Sequence, residues 1–122
     1  MKKTEQVIKK HFDKLVTHLN LQDWKIRLDY MDGDCFRNEM VAMDNTIDLS
    51  YLRSTIRIYS VMEENTKEVI LETICHELCH VITEPMYSLC RGVVSPMQHE
   101  WVEEMREQET ERICRIALKN FE

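Results

Sequence analysis

His76-Glu77-Leu78-Cys79-His80 places two imidazoles four residues apart, with a carboxylate directly after the first. On an α-helix this spacing stacks both rings on one face, one turn apart, where they can grip a single metal ion. Neutral imidazole suits zinc, and a catalytic zinc site needs three protein ligands plus an open position. Glu77 projects about 100° round the helix from His76, near enough to handle a metal-activated water without ligating the metal. Shuffling a chain of this composition yields H-E-x-x-H roughly once in fifty, so the pattern carries weight only if it lies on a helix.

The flanking sequence supplies that helix. Asn65 opens it, and Glu68 three residues later completes a capping box. Leu71, Ile74, Cys75, Leu78 and Ile82 form its core stripe, while Thr73, His76 and His80 occupy a neighbouring face. Pro85 is expected to stop it, and residues 85–94, with Pro85 and Gly92, read as a loop. Ser95-Pro96-Met97-Gln98 then starts a second helix, with Ser as cap and Pro at the first helical position. That helix can run to about Asn120, or ~35 Å.

Two histidines need a third ligand, and the last helix offers one by phase. Val102, Met105, Glu109, Ile113 and Ile116 follow each other at helical spacing, which puts a carboxylate at the centre of an apolar stripe. Burying it unpaired is costly, and a metal ion removes that cost. Glu100, Glu103, Glu104, Glu107 and Glu111 fall on flanking or outward faces. His99 is the rival ligand. It lies ten residues, ~15 Å, from Glu109, so the two cannot share one ion.

The rest of the chain must hold these helices. Residues 4–20 read as an amphipathic helix with Val7, Ile8, Phe12, Leu15, Val16 and Leu19 on its apolar side, and His11 and His18 at the edges. Trp24, Ile26, Leu28 and Tyr30 alternate with Lys25, Arg27 and Asp29 in a half-buried strand, broken by Asp32-Gly33-Asp34. Further extended stretches cover about 39–44 and 52–60, with 45–51 open between strand and loop. The expectation is one α+β domain over residues 1–122. It comprises an N-terminal helix, a small three-stranded, mainly antiparallel sheet, the H-E-x-x-H helix and a long C-terminal glutamate helix.

Composition narrows the partners. With 122 residues, 43% hydrophobic and 31% charged, the chain reads as an ordinary globular domain. No apolar run approaches the ~20 residues of a membrane span, and no apolar stretch follows Met-Lys-Lys-Thr-Glu-Gln-Val as in a signal peptide. A cytoplasmic location and no membrane partner are expected. The net charge of −6, with acidity concentrated between Glu100 and Glu111, argues against nucleic acid. Five cysteines (Cys35, Cys75, Cys79, Cys90 and Cys114) lack the pairing of a disulfide framework and fit a reducing compartment. Cys75 and Cys79 share the motif helix, which keeps a structural Cys/His zinc site as an alternative, although no second ligand pair such as CxxC occurs elsewhere.

On these residues the chain resembles the minimal gluzincin metallopeptidases, especially the small metallopeptidases of phages and prophages. The resemblance covers most of the chain: the Trp24-x-Ile26 strand, the Ile56-Arg57-Ile58 strand, the His76–His80 motif and a later helix with Glu109-x-x-Arg112. It implies zinc on His76, His80 and Glu109, Glu77 as general base, and a polypeptide substrate. Residues 108 and 113 are Gln and Ile, so the Asn-Glu-x-x-x-Asp pattern of the thermolysin glutamate helix is missing. More distantly the chain is similar to HExxH domains that cleave phage and stress-response repressors. It is similar also to DNA-protein crosslink proteases, whose third histidine would correspond to His99. Tyr87 is a candidate for stabilising the oxyanion, and the 52–60 strand for pairing with extended substrate. Two other readings stay open: a zinc-binding interaction domain without turnover, and a repressor-switch protease with one dedicated target.

Overall fold

The computed structural model describes residues 2–31 and 42–121. The predicted break at Asp32-Gly33-Asp34, Cys35 and the start of the 39–44 stretch lie outside the described residues. Helix α1 spans Lys2–His18, strands β1, β2 and β3 span Lys25–Tyr30, Met43–Asp48 and Arg53–Ile58, and helices α2 and α3 span Lys67–Val93 and His99–Lys119. Short 3-10 turns at Ser60–Glu64 and Pro96–Gln98 precede α2 and α3. This is the expected α+β architecture.

Asn20 ends α1 in the left-handed region, at φ 58°. The amides of Asn20 and Leu21 bond back to the carbonyls of Thr17 and Val16, satisfying the helix's last acceptors in a Schellman arrangement. Buried Leu21 turns the chain toward β1, where Ile26, Leu28 and Tyr30 meet the core as their alternation predicts.

The sheet order is β1-β3-β2, with β1 parallel and β2 antiparallel to β3, so the sheet is mixed rather than mainly antiparallel. β3 therefore lies in the middle with both edges paired, so the 52–60 segment is not an edge open to substrate. Among the described residues β1 and β2 each have a strand neighbour on one side only, and β2 is the one that packs on α2. β2 begins in the expected 39–44 stretch and continues to Asp48, through part of the 45–51 segment left open between strand and loop.

Helix α2 is the spine on which α1, β2 and α3 all pack. Ile8, Phe12 and Leu15 of α1, Ile56 and Ile58 of β3, and Ile70, Ile74, Leu78 and Val81 of α2 make the core. The N-cap of α2 is Thr66, not Asn65: its hydroxyl accepts from Val69 N at 3.2 Å. The helix also runs through Pro85 to Val93 where a loop was expected. An interior proline costs ~3 kcal/mol. Cross-helix contacts offset this: Tyr87 Oη donates to Glu103, and the Arg106 guanidinium stacks 4.3 Å over the Tyr87 ring. Ser95 and Gln98 form the expected capping box ahead of α3.

Candidate metal centre

His76 and His80 face α3 with ring centroids 4.7 Å apart. The carboxylate opposite them is Glu107. Its Oε2 lies 3.5 Å from His76 Nε2 and its Oε1 3.6 Å from His80 Nε2. One donor atom from each residue lies within 4.8 Å of the others, so the trio could hold a metal ion. The separations suit one. Ligand atoms ~2.0–2.1 Å from a tetrahedral ion such as zinc stand ~3.3 Å apart.

Each ring's second nitrogen is held by α3. His76 Nδ1 donates to Glu111 Oε2 at 3.1 Å, so Nε2, the nitrogen facing Glu107, is the one a metal ion would meet. Fully buried Thr110 stands 3.5 Å from His80 Nδ1 and 3.0 Å from the Thr83 hydroxyl. Thr83 in turn donates to the His80 carbonyl at 3.3 Å. The donors then run in one direction, from His80 Nδ1–H to Thr110, to Thr83, to the carbonyl, and free His80 Nε2 in the same way. Burial, with the charges of His76 and Arg106, pushes the His80 pKa down to about 4 against the pull of Glu107. The ring is neutral at pH 7, as a metal ligand must be.

Glu109 is not brought to this pair. It is exposed on α3, 3.5 Å from Arg112 in a surface ion pair. The predicted stripe is covered only in part: Val102 is buried and Ile113 packs against the core, but Met105 is 42% and Ile116 57% exposed. The buried line is Val102, Thr110 and Cys114, with Arg106 half-buried between them. Residues 107 and 109 point ~160° apart round a helix axis, so correcting the phase exchanges one glutamate for the other. His99 opens α3, eight residues or ~12 Å before Glu107, and is not in the cluster.

Glu77, His80, Glu84 and Arg106 line a 280 Å³ hollow with Asp44, Asn45 and Ile47 of β2. Burial, reinforced by the negative charges of Glu107 and Asp44 and opposed by Arg106, pushes the Glu77 carboxyl up to about 8. Arg57 grips Asp44 at 2.7 and 3.1 Å on the strand side of the hollow. Tyr87 is not among its lining residues, since its hydroxyl is committed to Glu103. Arg106 is the cation there. It contacts Glu103 at 2.5 Å, Glu107 at 3.3 Å and Glu84 at 3.8 Å, and its buried Nε has no hydrogen-bond partner among the described residues.

No protein-family model, curated protein or solved structure matches this chain. Among the described residues no helix is long and apolar enough to cross a membrane.

Proposed function

We propose that the chain is a zinc-dependent peptidase in which His76, His80 and Glu107 hold the metal and Glu77 is the general base, in the manner of the minimal gluzincins it resembles. One observation carries this reading: the Nε2 atoms of both histidines converge on a carboxylate from α3, beside a hollow walled by the motif glutamate. A zinc ion there would supply Lewis acidity, lowering the pKa of water toward ~7 and polarising the scissile carbonyl.

The chain's own groups do the rest. Glu77 takes a proton from the attacking water and passes it to the departing amine. Its raised pKa suits the second task, and the positive charge of a bound metal favours the ionised form needed for the first. Arg106, on the wall of the same hollow, replaces Tyr87 as the group that stabilises developing negative charge. An extended polypeptide lies along β2, whose Asp44, Asn45 and Ile47 line the hollow, and bonds to that strand's outer edge. A cytoplasmic setting, and phage or prophage kinship, belong to the same proposal.

The test is a mixed-sequence peptide library incubated with zinc-loaded wild type and with Glu77→Gln. Cleavage by the wild type that falls ~10²–10⁴-fold in the variant is the expected result. A fully active Glu77→Gln would contradict the mechanism. A wild type that binds zinc and cleaves nothing would favour a non-catalytic zinc domain.

A further inference from the structure

A second set of donors lies at the same helix pair, on the buried side of α2. Cys75, Cys79 and Cys114 are free thiols, all buried, with their Sγ atoms within 4.8 Å of one another. Cys75 and Cys79 stand one turn apart on α2 with sulfurs 4.0 Å apart, and Cys114 reaches across from α3. Their other contacts are weak: Cys75 to the Cys114 carbonyl at 4.0 Å, and Cys114 to the Glu72 carbonyl at 3.8 Å. Core packing alone asks for small apolar groups. It does not ask for three sulfurs converging on one point.

We propose that Cys75, Cys79 and Cys114 form a three-sulfur site for a soft metal ion, copper(I), separate from the histidine pair. Three sulfurs in a plane ~2.3 Å from a common centre are ~4.0 Å apart, which is the spacing of Cys75 and Cys79. Thiolate sulfur selects copper(I) over harder ions. A structural zinc would call for a fourth ligand, and among the described residues no fourth His, Cys, Asp or Glu joins the group. A disulfide between Cys75 and Cys79 would require their sulfurs to close from 4.0 Å to ~2.0 Å along one helix. An entry path exists, because Cys114 lines a 680 Å³ groove between α2 and α3 together with Glu72, Thr73, His76, Glu111 and Arg115. Copper enters as copper(I), so no electron moves, and the displaced thiol protons leave to solvent. Occupancy would tie α2 to α3 two helical turns from Glu107. The site does not depend on the peptidase reading.

The experiment titrates full-length, reduced, zinc-saturated protein with copper(I) under nitrogen against a competing chelator. A Cys35→Ser/Cys90→Ser background removes the two remaining thiols. X-ray absorption at the copper edge reads the ligands. One copper per chain with three sulfurs and no nitrogen is expected, unchanged when His76 and His80 are both replaced by Ala. Cys114→Ala and, separately, Cys79→Ala should each weaken copper binding at least ~100-fold while circular dichroism stays native. A first shell containing nitrogen, fewer than three sulfurs, or no tight copper in the background protein would overturn the proposal whether or not the alanine variants fold.

Discussion

Asn45 on the edge strand and Glu77 on the motif helix are joined directly: the Asn45 side-chain amide donates to the Glu77 main-chain carbonyl at 3.0 Å. Buried Ser54 of β3 fixes that amide by donating to Asn45 Oδ1 at 2.5 Å. The amide thereby sets the position of β2 against the turn of α2 that carries His76 and Glu77. Sheet and site are built through one side chain.

Replacing Asn45 with Ala should cost ~1–3 kcal/mol, because it leaves the Ser54 hydroxyl buried without its acceptor. The melting temperature should fall by roughly 3–10 °C. Calorimetry of Asn45→Ala beside Thr46→Ala, an exposed neighbour on the same strand, checks this. Equal melting temperatures for the two variants would show that the link is decorative.

Thr110→Val should lower zinc affinity ~10–100-fold with little change in fold, since it keeps the side-chain shape and removes the hydroxyl that orients His80. A competition titration against a zinc-sensitive dye measures it. An unchanged affinity would mean that His80 is oriented by packing alone.

The motif was legible because its logic is local: spacing of four on one helix places His76 and His80 together whatever surrounds them. Fold class, α1, β1 and the Ser95–Gln98 helix start were legible for the same reason. What lay beyond the sequence is tertiary. β3 sits between β1 and β2 because the hairpin returns through the middle of the sheet, and strand patterns alone do not give that order. The helix survives Pro85 because Tyr87 is held by Glu103 and Arg106 on α3. Glu107 rather than the expected Glu109 lies beside the histidines because Val102, Met105, Ile113 and Ile116 outline a face that α2 covers only in part. The buried line is instead carried by Thr110 and Cys114, which do not read as a stripe. Cysteine is among the most buried residue types. A stripe drawn back two turns from Cys114 lands within ~20° of Glu107.

Glu77 should make the zinc-depleted protein less stable as pH rises. Burial, with Glu107 and Asp44, lifts its folded pKa from an ordinary 4.5 to about 8. Between those values the unfolded chain has given up the proton that the folded chain retains, so raising the pH favours unfolding. The effect is absent below the lower value, grows through the window and levels off above about 8. Glu77→Gln has no proton to lose. Its stability advantage over wild type should widen from pH 5 to pH 8, by on the order of a few kcal/mol. Urea denaturation at the two pH values gives the difference, and a pH-independent gap would contradict a buried, charge-crowded carboxyl.

The identity of the third ligand decides the account, because Glu107 and Glu109 lie on opposite sides of α3 and only one can meet the histidines. Equilibrium zinc titration of Glu107→Ala and Glu109→Ala, with His99→Ala alongside, is the direct measurement. The geometry predicts that Glu107→Ala weakens zinc binding ~100-fold or more, while Glu109→Ala and His99→Ala bind within threefold of wild type. Full affinity in Glu107→Ala, with loss in Glu109→Ala or His99→Ala, would contradict the His76–His80–Glu107 site.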